Sequence, residues 1–513
     1  MRFILVSFAL LVAISQTFSQ NHKQMFEAIY NEGIKDKNLE SIAHQLIDVI
    51  GPRLVGSPQM QMANAFVVKQ YQNWNITAYN EQWGEWRSWQ RGFSHIDMIY
   101  PRNSTLEATQ SAWCPHLKRP IEAEVILIPD AVDSLTFDRM LPLLKGKIVM
   151  ISPVDFSGRP TQSWEIFQSK EKADSVAQLR MKIKQDWAKR IRNTGFNMRT
   201  LPVKLENAGA VGIITSNWPE GWGTTRVFAA YTKRIPSIEM GMEDYSLLAR
   251  FLENGINPKV KINTTSKWGG NVPVYNTMAS IKGREKPDEI VLLSAHLDSW
   301  DGGTGATDNG TGTLTMMEAM RILKQVYPNP KRTIMVGHWG SEEQGLNGSR
   351  SFTEDHPELL DKISVVFNQD NGTGSINNIA TQGFINAYSF FDKWLSLLPE
   401  ALKGDYKMEY PGYPNVGGSD NFAFIPLGIP AFYLASTKDW NYRTYTWHTQ
   451  RDTYDKIIFD ELRENAIKVA MLVYLACEEP EMISREKIQM PIDLKTGKAE
   501  KWPGKGKAKR KGP

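Results

Sequence analysis

At 513 residues the chain exceeds an ordinary domain of about 100–200 residues, so two domains, or one domain carrying a large insert, are expected. Its formal charge is +4, but residues 495–513 hold eight Lys or Arg against Glu500, leaving −3 for the rest; with no stripe of basic and aromatic residues, nucleic-acid binding is excluded. Two cysteines exclude a Cys-based metal site, and no segment after the N-terminal leader has about 18 uninterrupted apolar residues, which excludes a membrane span from the mature chain.

Arg2, the apolar run at 3–14, and the small or polar Thr17 and Ser19 form a secretory leader pattern, with cleavage expected after Ser19. A secreted or periplasmic protein follows. Residues 38–74 read as helical: NLESIAHQLIDVI is amphipathic, GPRLVGSP breaks it and QMQMANAFVVKQYQNW resumes. Strand-like pieces come near 76–84 and 91–100. IEAEVILIP, LKGKIVMIS, ENAGAVGIITSN and RIPSIEMGMEDYSLLARFLENG then suggest a β-rich insert over 119–268. Within it, 161–200 carries Trp164, Ile166, Phe167, Val176, Leu179, Met181, Ile183 and Trp187. That stretch reads as amphipathic helices covering their own domain, with a lid or a homodimer contact as alternatives.

NVPVYNTMASIKG resumes the first domain, which spans 20–118 and 269–490. EIVLLSAHLDSW (289–300) is a strand-length apolar run that ends on His296-x-Asp298. A Gly/Thr loop with Asp308 and a helical stretch at 313–327 follow. KRTIMVGHWGSEEQG (331–345) repeats the plan and ends on Glu342 and Glu343, and KISVVFNQDNG (362–372) ends near Asp370. His448 comes last, in WHTQRDTYD. The strand–helix–strand order predicts an α/β fold with a mixed, mostly parallel sheet flanked by helices. Such sheets gather their sites at the carboxyl ends of the strands, so these residues should meet at one rim.

Two imidazoles with several carboxylates suit a pair of zinc ions, which can share one carboxylate at about 3.5–4 Å and activate a water between them. Of the adjacent glutamates, Glu343 would hold metal and Glu342 would stay free to take the proton. A lone His-x-Asp or a single Glu pair is mostly a surface or capping feature. The ensemble carries the reading. His338, in a strand-like run, reads as a packed core histidine, and Asp420 in GGSDNF as either a partner of the site or a loop cap.

The motifs AHLDS (295–299), GATDNGTG (305–312), SEEQGLNGS (341–349), GGSDNFAF (417–424) with LGIPAF (427–432), and WHTQRDTYD (447–455) resemble the di-zinc exopeptidases. That family includes bacterial leucyl aminopeptidases and glutamate carboxypeptidases, and the layout is most similar to its carboxypeptidase Q-like branch. The resemblance implies that Asp308 bridges, His296 and Asp370 complete one zinc, and Glu343 and His448 complete the other. It makes Glu342 the general base and gives Asp298 the second ring N–H of His296. A cis peptide is implied at Asp308-Asn309. The 119–268 insert resembles a protease-associated domain.

The implied activity is hydrolysis of terminal bonds in dipeptides or short peptides. A non-catalytic receptor or scaffold on the same fold, and a hydrolase of another amide, are the alternatives. An aminopeptidase must hold a free ammonium and a carboxypeptidase needs Arg or Lys for a terminal carboxylate; Arg443, Lys438 and Arg451 lie near the His448 motif, but sequence distance does not put them in the pocket, and both orientations stay open. Cys114 and Cys477 are expected to stay unpaired, and 491–513 is expected to be a disordered basic tail.

Overall fold

The computed structural model describes residues 20–35, 38–404, 406–414 and 418–512. The expected leader, 1–19, and Gly417 of the GGSDNF motif lie outside them.

The fold is built on one large mixed sheet flanked by helices. Its central strands are β1 (Thr77–Tyr100), β2 (Lys259–Ile281), β3 (Lys286–His296), β4 (Arg332–Trp339), β5 (Ile363–Asn368) and β6 (Ala431–Ala435). β3 pairs in parallel with β4 on one side and β5 on the other, and β5 pairs in parallel with β6. β2 runs antiparallel to β4 and β1 antiparallel to β2. The last seven residues of β3 and all of β5 are buried without alternation, as expected for parallel strands covered on both faces. Helices α1 (Thr311–Val326) and α2 (Phe459–Glu478) supply that cover from the same core cluster. The helix Pro58–Asn73 begins after GPRLVGSP because Ser57 caps the Met60 amide and Pro58 needs no donor at N1.

β1 and β2 run on beyond this core into a second region with two apolar clusters of its own. There the strands Ile121–Leu127, Ile148–Met150, Gly212–Thr215 and Ser237–Met240 extend the sheet. The sheet is therefore continuous across the expected edges at 119 and 268. Ala108–Gln110 pairs with Ser237–Met240, so it sits with the second region although it precedes 119. The 161–200 stretch forms two helices, Thr161–Phe167 and Lys170–Asn193. The longer one is anchored by buried Arg180, paired with Asp155 and Glu220, while Ile166, Phe167, Leu179 and Met181 stay exposed. Cys114 and Cys477 are both buried and free, in different clusters.

The C-terminal segment, expected as a disordered tail, makes specific contacts with the rest of the chain. The Arg510 carbonyl accepts the Glu85 amide at 2.9 Å, and Gly512 N–H donates to Glu85 O at 3.2 Å, an isolated parallel bridge beside β1. The Arg510 guanidinium grips Asp355 at 2.8 Å and Glu354 at 2.9 Å, and Trp502 Nε1 donates to Ile425 O at 2.9 Å. Composition alone reads Lys and Gly as solvated. It does not register an unpaired strand edge beside two carboxylates.

Arg332 ties β4 to the end of α2. It is fully buried, donates to Glu289 at 2.6 Å, and reaches the carbonyls of Ala476 (3.0 Å) and Glu479 (2.5 Å). A cation there also faces the negative end of the α2 dipole. Arg332→Ala should lower stability by about 3–5 kcal/mol, because it leaves a carboxylate and several carbonyls without their partner. Urea unfolding measures this, and a loss under about 1 kcal/mol would contradict the assignment.

Candidate metal centre

The parallel β3, β4 and β5 end on one rim, and each delivers a polar residue as its chain leaves the sheet. His296 is the last residue of β3. After β4 the chain turns through Ser341, at φ 63°, and presents Glu342 and Glu343. Asp370 follows β5 by two residues. His448, at φ 61°, arrives from a loop between the β6 side and α2.

Asp308 faces both imidazoles, one oxygen to each. Its Oδ1 lies 3.4 Å from His296 Nε2 and its Oδ2 3.2 Å from His448 Nε2. His296 Nε2 is also 3.3 Å from Asp370 Oδ1, and His448 Nε2 is 2.9 Å from Glu343 Oε2. Two triads result, His296–Asp308–Asp370 and Asp308–Glu343–His448, each with its donor atoms within 4.8 Å of one another. The Asp308-Asn309 peptide is cis.

The Asp298 carboxylate lies beside His296 and also serves the glutamate pair. Its carboxylate accepts the amides of Glu342 (3.0 Å) and Glu343 (3.3 Å), while Oδ1 is 3.6 Å from His296 Nδ1, too long for a hydrogen bond. His296 Nδ1 instead meets the main-chain oxygen of Asp298 at 2.9 Å. The Asp298 side chain orients the glutamate pair through their amides.

Several residues that hold the site escaped the sequence reading. Arg53 is completely buried and donates to the carbonyls of Leu297 (2.6 Å), Thr304 (2.9 Å) and Gly305 (2.7 Å), bracing the loop before Asp308. Burial lowers its pKa to about 10, against the pull of Asp452, Asp298 and Asp308. Asp452 accepts the amides of Thr307 (2.7 Å) and Asp308 (3.0 Å). Asn309 Nδ2 donates to Gln369 O at 2.8 Å, joining this loop to the end of β5. Arg53 stood within GPRLVGSP and Asp452 within WHTQRDTYD. Both motifs were on view, but only long-range contact reveals what these residues hold. Asp420 accepts Ser349 Oγ at 2.5 Å, and His338 is a core residue bonded to the Tyr71 hydroxyl at 2.7 Å.

Charge decides what the centre can hold. Burial lifts the Glu343 carboxyl to about 7 against the pull of His448, with Asp308 adding to the lift. Burial lowers the imidazole of His448, but Glu343 and Asp308 outweigh it and raise the group to about 9. Asp308 is also buried, yet hydrogen bonds from both histidines carry it well below the usual range. The imidazoles thus stand in for positive charge. Glu343 Oε1 is buried without a hydrogen-bond partner among the described residues. An oxygen and nitrogen donor set of this kind fits zinc.

Residues 276–473 match Peptidase family M28. Carboxypeptidase Q of Pongo abelii is 25% identical over 462 residues, covering 89% of this chain and 89% of that protein. The Rattus norvegicus carboxypeptidase Q is 25% identical over 476 residues, covering 91% of each. Among solved structures, the peptidase M28 precursor of Shewanella amazonensis aligns with a TM-score of 0.68 at 23% identity, over 91% of this chain and 99% of that one. The Bacillus subtilis zinc aminopeptidase aligns with a TM-score of 0.56 at 18% identity, over 88% and 97%. The two structural likenesses bear on the fold.

Zinc has to displace the protons that the metal-free site holds, so its binding depends on pH. With His448 raised to about 9 and Glu343 to about 7, competition is weak above 9 and grows as pH falls through both values. Apparent zinc affinity should drop roughly tenfold per pH unit for each proton displaced. Titration against a competing chelator at pH 8 and pH 6 measures it; equal affinity at the two values would contradict the protonated resting state.

Proposed function

On the match of residues 276–473 to Peptidase family M28, we propose an exported di-zinc exopeptidase that hydrolyses dipeptides or short peptides. One observation carries the reading: Asp308 offers one oxygen towards each of two His-carboxylate groups. His296, Asp308 and Asp370 would hold one zinc, and Asp308, Glu343 and His448 the other. When bound, such a pair supplies Lewis acidity, polarising the peptide carbonyl and lowering the pKa of water.

The chain's own groups do the proton work. Glu342 is in neither triad, so its carboxylate is free to take the proton of the attacking water and pass it to the departing amine. Burial and the carboxylates of Asp370, Asp420 and Glu343 raise its proton affinity well above the usual range, against the pull of His296. Asp298 orients Glu342 and Glu343 by taking both their amides.

A cleft of about 1070 Å³, bordered by Glu343 and His448, opens onto the centre between β1, the 199–234 stretch and the tail. The 119–268 region, read as a protease-associated domain, contributes Arg199, Phe228 and Tyr231 to its walls. Walls on several sides suit a short peptide and obstruct a folded chain. The apolar run at 3–14 supports export, and no helix among the described residues is long and apolar enough to cross a membrane. A non-catalytic scaffold would have no need of the complete donor set.

Glu342→Gln should keep zinc content near normal while cutting turnover at least about 100-fold. Elemental analysis and turnover of the same preparation decide it; activity falling only in proportion to lost zinc would make Glu342 a ligand. The reaction class is tested by mass spectrometry of digests of free, N-blocked, C-amidated and doubly blocked peptides. Single-residue losses or dipeptide splitting are expected, and internal fragments from the doubly blocked peptide would refute the exopeptidase reading.

A further inference from the structure

The cleft in front of the centre is cationic, and its cations come from three distant parts of the chain. Arg87 comes from β1, Arg199, Lys233 and Arg234 from the 119–268 region, and Lys509 from the C-terminal segment, against Glu343 as the lining carboxylate. Arg234 is neutralised by Glu206 at 3.1 Å. Arg87, Arg199, Lys233 and Lys509 have no carboxylate within ion-pair distance among the described residues. All four are exposed. By contrast, Arg451, next to His448 in sequence, pairs with Glu107 at 2.5 Å, and the Arg443 guanidinium lies 4.5 Å from the Trp447 ring centroid.

Lys509 is held there by its backbone. Its N–H donates to Asn347 Oδ1 at 2.8 Å, and Asn347 in turn donates to Ser341 Oγ at 3.0 Å, at the start of the loop that carries Glu342 and Glu343. On the other side Arg510 O and Gly512 N pair with Glu85. The Lys509 side chain makes none of these bonds. Its ammonium lies 5.2 Å from the centroid of Trp86, a residue of the cleft wall, and the neighbouring Arg87 guanidinium lies 4.5 Å from the Trp268 ring centroid. Aromatic faces hold both cations in place and leave their donors free.

Unpaired cations lining a cleft concentrate anions, and a low-dielectric wall strengthens the effect. We propose that this cleft selects peptides carrying a carboxylate beyond the scissile bond, and that Lys509, brought in by the C-terminal segment, is one of the groups that recognise it. The inference rests on the peptidase reading above. The carboxylate can be an acidic side chain or the free peptide terminus, which the same chemistry would bind.

The test uses the zinc-loaded full chain and four short peptides of one parent sequence: neutral amide, neutral free acid, glutamyl amide and lysyl amide. Lys509→Glu should lower kcat/KM for the carboxylate peptides about tenfold more than for the neutral amide, through KM, and should favour the lysyl amide. Lys509→Arg should retain the wild-type order, and the differences should shrink in high salt. Comparing free acid with glutamyl amide shows which carboxylate is read. Binding of the two carboxylate peptides to Glu342→Gln, with and without Lys509→Glu, gives a readout independent of turnover. Equal losses on all four peptides would make the segment a brace for the 341–347 loop, and no change on any would remove Lys509 from recognition; either result overturns the proposal. Hydrolysis of none of the four by the wild type would instead strike at the peptidase reading itself.

Discussion

Packing Asp308, Glu343, Asp370 and Glu342 around two imidazoles at one buried rim is the constraint from which the rest of the structure follows. Buried carboxylates this close cannot all be ionised without compensating positive charge. The imidazoles supply part of it, with His296 raised well above its usual value: burial opposes this, but Asp370 and Glu342 outweigh it. Acidic side chains that repel one another would be a defect in a packed core. Here they form a site whose stability depends on a cation.

Such a site needs a frame that does not relax away from its own repulsion. Parallel strands give that frame, because their ends are fixed by ladders on both sides and buried on both faces. The Asp308 loop has no ladder of its own, so side chains hold it. Arg53 neutralises and braces from below, Asp452 takes the Thr307 and Asp308 amides, and Asn309 reaches across to Gln369. The buried Asp452 would itself be costly. Burial raises its carboxyl to about 7, opposed by bonds from Thr307 and Asp308, so it settles only because the loop's donors converge on it.

Residues 289–300, 331–345 and 362–372 could be read from sequence because a fully buried parallel strand writes itself as an unbroken apolar run ending on polar chemistry. His296, Asp308, Glu343, Asp370 and His448 were legible for that reason and through their motifs. Arg53 and Asp452 were not, because a buried ion that serves backbone carbonyls or amides looks like any surface charge until its partners, more than 140 residues away, are known. Asp298 shows the finer limit. Its place beside His296 in the motif was plain, yet the carboxylate turns to Glu342 and Glu343, a choice made by the approach of β4 to β3 and by no local pattern.

The tail shows where composition misleads most. Low hydropathy and repeated Lys and Gly describe a chain that cannot build a core, but they do not forbid docking on one already built. Gly84 and Gly512 matter here: a Cβ at Gly84 would lie 2.4 Å from Arg510 O, and one at Gly512 would meet the Trp86 ring at 2.4 Å. A glycine on each side, Gly84 in β1 and Gly512 in the segment, lets the two backbones close on one another. Once it is docked, the alternation of Lys and small residues becomes directional, with Arg510 turned to Glu354 and Asp355 and Lys509 turned to Trp86 and the cleft. A charge run that sequence analysis treats as one solvated unit thus separates, residue by residue, into an anchor and a face that borders the centre.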